Sequence, residues 1–234
     1  MKRIFYYLLT GALALTSCDD GRIPEDDFIP NEEGRVAKLD VQLENNQSWP
    51  SGYTVSIAGF SEDSPYAEIT KSISTDANGH ASVTLSGIPD EVKTLEVCVI
   101  NSIRRRVVTF YSMDAPATTD TIRINPSPID VGMYASIQSQ IFDKQCAHCH
   151  SGSAWSAALN LNEGKSYASL KNVASALVED KERVTPGDAA NSVLYEALAT
   201  DLSANWKHDH SKIMVTDAVG LQMIRDWINS GAKE

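Results

Sequence analysis

The sequence predicts a multidomain chain, with an antiparallel β-sandwich over residues 35–125 followed by an all-α domain over residues 131–234. Three observations carry this expectation. From Val36 onward, apolar and polar residues alternate with a period of two, as half-buried strands require. Beyond residue 131 the apolar spacing becomes helical, with Tyr134, Ile137 and Ile141 at i, i+3 and i+7. Between the two regimes lies Pro126-Ser127-Pro128, where each proline and its predecessor disfavour helix. The 234 residues suffice for a core in each part, and 42% hydrophobic with 22% charged residues is ordinary for globular protein.

The N-terminus reads as an export signal over residues 1–17. Lys2 and Arg3 precede a short apolar run from Ile4 to Leu15, too short to span a bilayer comfortably. The run ends in Leu15-Thr16-Ser17-Cys18, which resembles the lipobox of bacterial lipoproteins. That resemblance implies lipidation of Cys18 and attachment to a membrane, since several acyl chains hold where one holds only marginally. Residues 18–34 are an acidic tether whose composition cannot bury enough apolar surface to fold. Acidic residues just after such a cysteine resemble surface-exported lipoproteins of Bacteroidota, which implies a cell-envelope address at the outer membrane, on its periplasmic or surface face.

In the sandwich region, Ala37, Leu39, Val41 and Leu43 alternate with Lys38, Asp40, Gln42 and Glu44. Further strands are predicted at 53–58, 67–74, 81–85, 94–100, 106–111 and 121–124, with Asn78-Gly79 as a hairpin turn. The stretch from Asp76 to Leu85 resembles hairpins of immunoglobulin-like and transthyretin-like accessory domains. His80 is read as an exposed loop residue and Cys98 as a buried, inert thiol. No catalytic constellation is legible in this half.

The chemistry concentrates in Cys146-Ala147-His148-Cys149-His150. Two thiols three positions apart, followed at once by an imidazole, are the attachment signature of a c-type haem. On one helical turn the thiols face the same side, where they can add across the two vinyl groups of a porphyrin, and the next imidazole can reach the iron. With four Cys and five His in the chain, a shuffled sequence yields about 0.001 such pentapeptides. A zinc finger needs a different ligand spacing, and a thioredoxin-like pair needs a βαβ setting that the sequence lacks.

Charge narrows the partners. The formal charge is −11; without residues 1–17, which hold Lys2 and Arg3 and no acid, 18 basic residues face 31 acidic ones, a charge of −13. The only basic cluster, Arg104-Arg105-Arg106, is read as a solvated face, so no nucleic-acid partner is expected. An acidic electron carrier favours a redox partner protein with a basic docking face.

Over most of residues 137–234 the chain is similar to small single-haem class I cytochrome c domains of bacterial exported proteins. The resemblance runs through Ile141-Phe142, the Cys146–His150 motif, Leu159-Asn160-Leu161, Tyr167-Ala168-Ser169-Leu170, Arg183-Val184-Thr185-Pro186-Gly187-Asp188, Ser192-Val193-Leu194-Tyr195 and the closing stretch from Ile224 to Ala232. It implies one covalent haem c on Cys146 and Cys149, with His150 as proximal ligand and a methionine before the last helix as distal ligand. Here the pattern departs from the family. Met214 is followed by Val215 rather than proline, and His208 and His210 stand just upstream. Met214 ranks first as distal metal ligand, His210 second and His208 third.

The implied function is electron transfer in the cell envelope by a membrane-anchored cytochrome, with both axial positions filled by protein. No general base, nucleophile or oxyanion donor set is legible, so no enzyme is read. Two alternatives stand beside it: a haem catalyst or gas sensor with an open distal site, and a surface binding module that carries an accessory haem domain.

Overall fold

Strand β1 (Arg35–Glu44) buries Ala37, Leu39, Val41 and Leu43 and turns Lys38, Asp40 and Glu44 to solvent, the burial its two-residue period dictates. It pairs antiparallel with β4 (His80–Ile88), and parallel with β7 (Ile122–Ile124) and β8 (Ile129–Asp130). The second sheet, in the order β3 (Ile69–Ser72), β2 (Tyr53–Phe60), β5 (Thr94–Asn101), β6 (Arg106–Asp114), is antiparallel throughout. Val55 and Ile57 of β2 and Leu95, Val97 and Val99 of β5 meet the inward residues of β1 and β4 in one apolar core. The computed structural model describes residues 34–153, 156, 158–202, 208–214 and 217–234. The expected signal peptide, Cys18 and the tether up to residue 33 lie outside the described residues.

Asn78-Gly79 turns the chain without forming the expected hairpin. Because β3 bonds to β2 while β4 bonds to β1, the turn carries the chain from one sheet to the other. Asp76 Oδ1 accepts from the amides of Asn78 and His80, both at 2.9 Å. Gly79 holds φ +83°, and a Cβ there would clash with the Leu43 carbonyl oxygen. His80 pairs with Asp40 at 2.9 Å. Cys98 is fully buried in β5, where burial pushes its thiol up to about 12.

The fold class expected from sequence is corrected on two counts. The first sheet is mixed rather than antiparallel, since β7 and β8 run parallel to β1. Nor is the region after residue 131 an all-α domain: the described chain is mostly strands in two sheets with few, short helices. These are α1 (Met133–Ile137), α2 (Ser166–Leu170), α3 (Val193–Ala199) and α4 (Ala218–Asn229), with a π-helical segment from Gln138 to Cys146. The segment between α1 and α3 is held by isolated bridges such as Ser151 to Asn160 and Lys171 to Val184. The reason is local: Gly152, Gly164 and Gly187, and also Ala158, Asn172 and Asp180, take positive φ and interrupt helical winding.

A second apolar cluster unites Met133, Tyr134, Ile137, Ile141 and Phe142 with Leu161, Leu170, Met223, Ile224 and Trp227, and Val108 of β6 joins it. Polar bonds stitch this cluster to the sheets. Ser48 Oγ accepts from the Met133 amide at 2.8 Å, Trp49 Nε1 donates to the Val131 carbonyl at 2.6 Å, and Tyr53 OH donates to Asp226 Oδ2 at 2.7 Å. Residues 33–234 accordingly form one unit. Helix α4 starts on Asp217, whose Oδ1 accepts from the Gly220 amide at 2.8 Å, and is followed by Gly231 at φ +102°.

Candidate functional site

The helical path that begins with α1 reaches Cys146 in widened turns, and the Ala147 amide donates to the Phe142 carbonyl five residues back at 2.8 Å. The Cys146 carbonyl then accepts from both the Cys149 amide, at 3.1 Å, and the His150 amide, at 2.9 Å. Cys146, Cys149 and His150 therefore share one turn. Cys146 is buried within the second apolar cluster and Cys149 is exposed. Burial, then the neighbouring Cys149, pushes the Cys146 thiol up to about 11. His148 is exposed.

The backbone of His150 is pinned from both sides. Its carbonyl accepts from the Leu161 amide at 2.8 Å, and Ser151 bridges Asn160. Leu161 is held in turn by Gln138, whose Nε2 donates to the Leu161 carbonyl at 2.9 Å and to Asp143 Oδ1 at 2.6 Å. Ser166 Oγ donates to Gln138 Oε1 and also contacts Tyr134 OH. This buried polar chain is a feature that sequence reasoning missed. The signal was Gln138 itself, four residues after Tyr134 and three before Ile141, a polar side chain on the apolar stripe of a helix.

The histidines converge. The rings of His150 and His210 have centroids 5.9 Å apart at 36°, and His208 meets His210 edge-on at 4.8 Å. His150 is half-buried, and the Ser156 backbone hydrogen-bonds its ring. Burial first, and then the adjacent His210, hold His150 below the ordinary imidazole range, while the Ser156 backbone opposes the shift. His210 is lowered by burial and then by His208. Both rings are thus biased toward the neutral, ligating form. His208 is exposed; Met214 is 3% exposed and packs in the apolar cluster that holds Cys146.

The structure thus brings Cys146, Cys149 and His150 onto one turn and sets His210 beside His150. Cys18 lies outside the described residues. Among the described residues no group of three or more His, Cys, Asp or Glu is placed to hold a bare metal ion. A haem asks for something different: two thiols and one imidazole on a single turn, with apolar side chains alongside, and these the residues present fit. No family model matches the chain, and no curated protein matches it.

Proposed function

We propose that this protein is a c-type cytochrome of the bacterial cell envelope that carries one covalent haem c and passes electrons to and from a partner protein. The observation that carries the reading is the turn at Cys146, whose single carbonyl gathers the amides of Cys149 and His150 and so groups two thiols and one imidazole. In this reading Cys146 and Cys149 hold the porphyrin by thioethers, each formed by addition of S–H across a vinyl group. His150 is the proximal ligand, and the segment containing His208, His210 and Met214 supplies the distal one. The bound haem supplies a one-electron couple at iron.

The chain's own residues bind and position. Gln138 holds Leu161, and Leu161 holds the His150 backbone, so the proximal imidazole sits on a fixed support. The apolar cluster that holds Cys146 would shield a porphyrin attached there from water. The acidic surplus, 31 acids against 20 bases, favours a basic docking face on the partner. A lipid on Cys18 would keep the chain at the outer membrane, on its periplasmic or surface face.

The test is maturation of the protein in a host with cytochrome c assembly machinery. Mass spectrometry of the denatured chain is expected to show one covalently retained haem, lost on Cys146→Ala/Cys149→Ala double substitution. A competent host that leaves the wild-type chain without haem would refute the proposal. High-spin iron that binds carbon monoxide freely would replace electron transfer with catalysis or sensing.

A further inference from the structure

We infer that His210, rather than Met214, is the second axial ligand, so that the haem iron is held between two imidazoles; this rests on the haem reading above. The argument begins with a length. A metal-bound imidazole nitrogen lies about 2 Å from the metal and about 1.1 Å from its own ring centre, so two imidazoles on opposite sides of one iron have centres about 6.2 Å apart. The His150 and His210 centroids are 5.9 Å apart, within a few tenths of an ångström of that span. The 36° between the rings is no obstacle, because an imidazole plane that contains its metal–nitrogen bond can rotate about that bond.

The second observation concerns what holds His210 there. It is the first residue of a short 3-10 helix, His210–Ile213, and the preceding Asp209 caps that helix by accepting from the Ser211 amide at 3.0 Å and from the Ser211 hydroxyl. Lys212 closes on the same carboxylate at 3.3 Å. The backbone under the imidazole is therefore preorganised rather than left as a solvated loop.

The competing ligands fare worse on the same grounds. His208 is exposed and reaches this pair only by its edge contact with His210. Met214 is buried in the second apolar cluster, and apolar packing accounts for its position without a metal. The missing proline after Met214, a departure visible in the sequence, has the same sense.

The experiment uses the full chain with its haem attached, in oxidised and reduced forms. Wild type is expected to be low-spin without the far-red sulfur-to-iron band and to have a lower reduction potential than a His/Met cytochrome. His210→Ala is expected to become high-spin and to bind carbon monoxide, with free imidazole restoring the low-spin spectrum. Should that variant fail to fold, the wild-type spectrum decides against Met214, and His208→Ala, expected to stay low-spin, decides between the histidines. A sulfur-to-iron band in wild type that Met214→Leu abolishes would overturn the inference, as would high-spin wild-type iron. So would loss of the low-spin state on His208→Ala with His210→Ala unaffected. A chain that takes up no haem refutes the function itself, a result read by mass before any spectrum.

Discussion

Replacing Gln138 by Leu tests the buried polar chain that supports His150. The two side chains are close in size, so packing around the site is retained and the loss is polar. Three hydrogen bonds disappear. The Leu161 carbonyl, on a residue only 2% exposed, loses the donor at 2.9 Å and is left unsatisfied, which costs about 1–3 kcal/mol. Ser166 keeps its contact with Tyr134 but loses Gln138 Oε1, a further loss of about 1 kcal/mol. Asp143 is exposed and rehydrates at little cost. Burial of the leucine offsets part of this, leaving about 2–3 kcal/mol of destabilisation. In a unit of this size that lowers the thermal midpoint by about 5–10 °C. Circular dichroism during heating of the haem-attached chain measures it, with urea titration as the second reading. Gln138→Glu adds a discriminating case. It removes both donors and sets a second carboxylate against Asp143, so it is expected to be the less stable variant at neutral pH and to recover on acidification. A Leu variant within about 0.5 kcal/mol of wild type would refute the reasoning, because that is the range of an ordinary surface substitution.

Thiol counting offers an independent reading of the site. With Cys18 absent or acylated, the denatured chain is expected to react with a thiol reagent at Cys98 alone if haem is attached, and also at Cys146 and Cys149 if it is not. In the native haem-bound state no thiol should react, because Cys98 is fully buried and its thiol is pushed up to about 12. Arg35 is 8% exposed and donates to the carbonyls of Ala115, Pro116, Pro89 and Val92, so Arg35→Met is expected to cost about 3 kcal/mol in urea unfolding. Arg35→Lys should recover less than half of that, since an ammonium lacks the planar fork. Alkaline pH should also destabilise. Burial raises Tyr134 from 10 to about 12, so its neutral form is favoured in the folded state. That contribution is complete below about pH 10 and is lost as pH rises toward 12; a urea midpoint that stays constant across this window would contradict it.

How much of this was legible in the sequence differs from element to element. The alternation from Ala37 to Leu43 is the alternation of burial in β1, because a strand with one buried face has no other way to place those residues. Helix α4 was equally readable: Leu221, Ile224 and Ile228 are spaced for one face, and Asp217 stands where a cap must. Asn78-Gly79 was misread for a definite reason. A turn signal reports that the chain reverses, and says nothing of which neighbours the flanking strands then choose. The parallel pairing of β7 and β8 with β1 joins residues about 85 apart in sequence, beyond the reach of any local pattern. The region after Gly152 was expected to be helical from a few apolar spacings, but Ala158, Asn172 and Asp180 take positive φ there, which apolar spacing does not announce. At the site, the pentapeptide was plain in the sequence. The approach of His210 to His150 depends on folding and was not, and of the Gln138 support only the polar residue on an apolar stripe was visible.

The long-range partners of β1 carry a kinetic burden. A chain that emerges N-terminus first presents β1 well before β4, and longer still before Ile122 and Ile129 arrive to complete its pairing. Meanwhile Ala37, Leu39, Val41 and Leu43 form a bare β-edge of the kind that recruits strands from other molecules. Slow closure of distant contacts prolongs that interval. The surplus of acidic residues then acts as a safeguard on the newborn chain, because like-charged copies repel one another while the edge waits for its own strands.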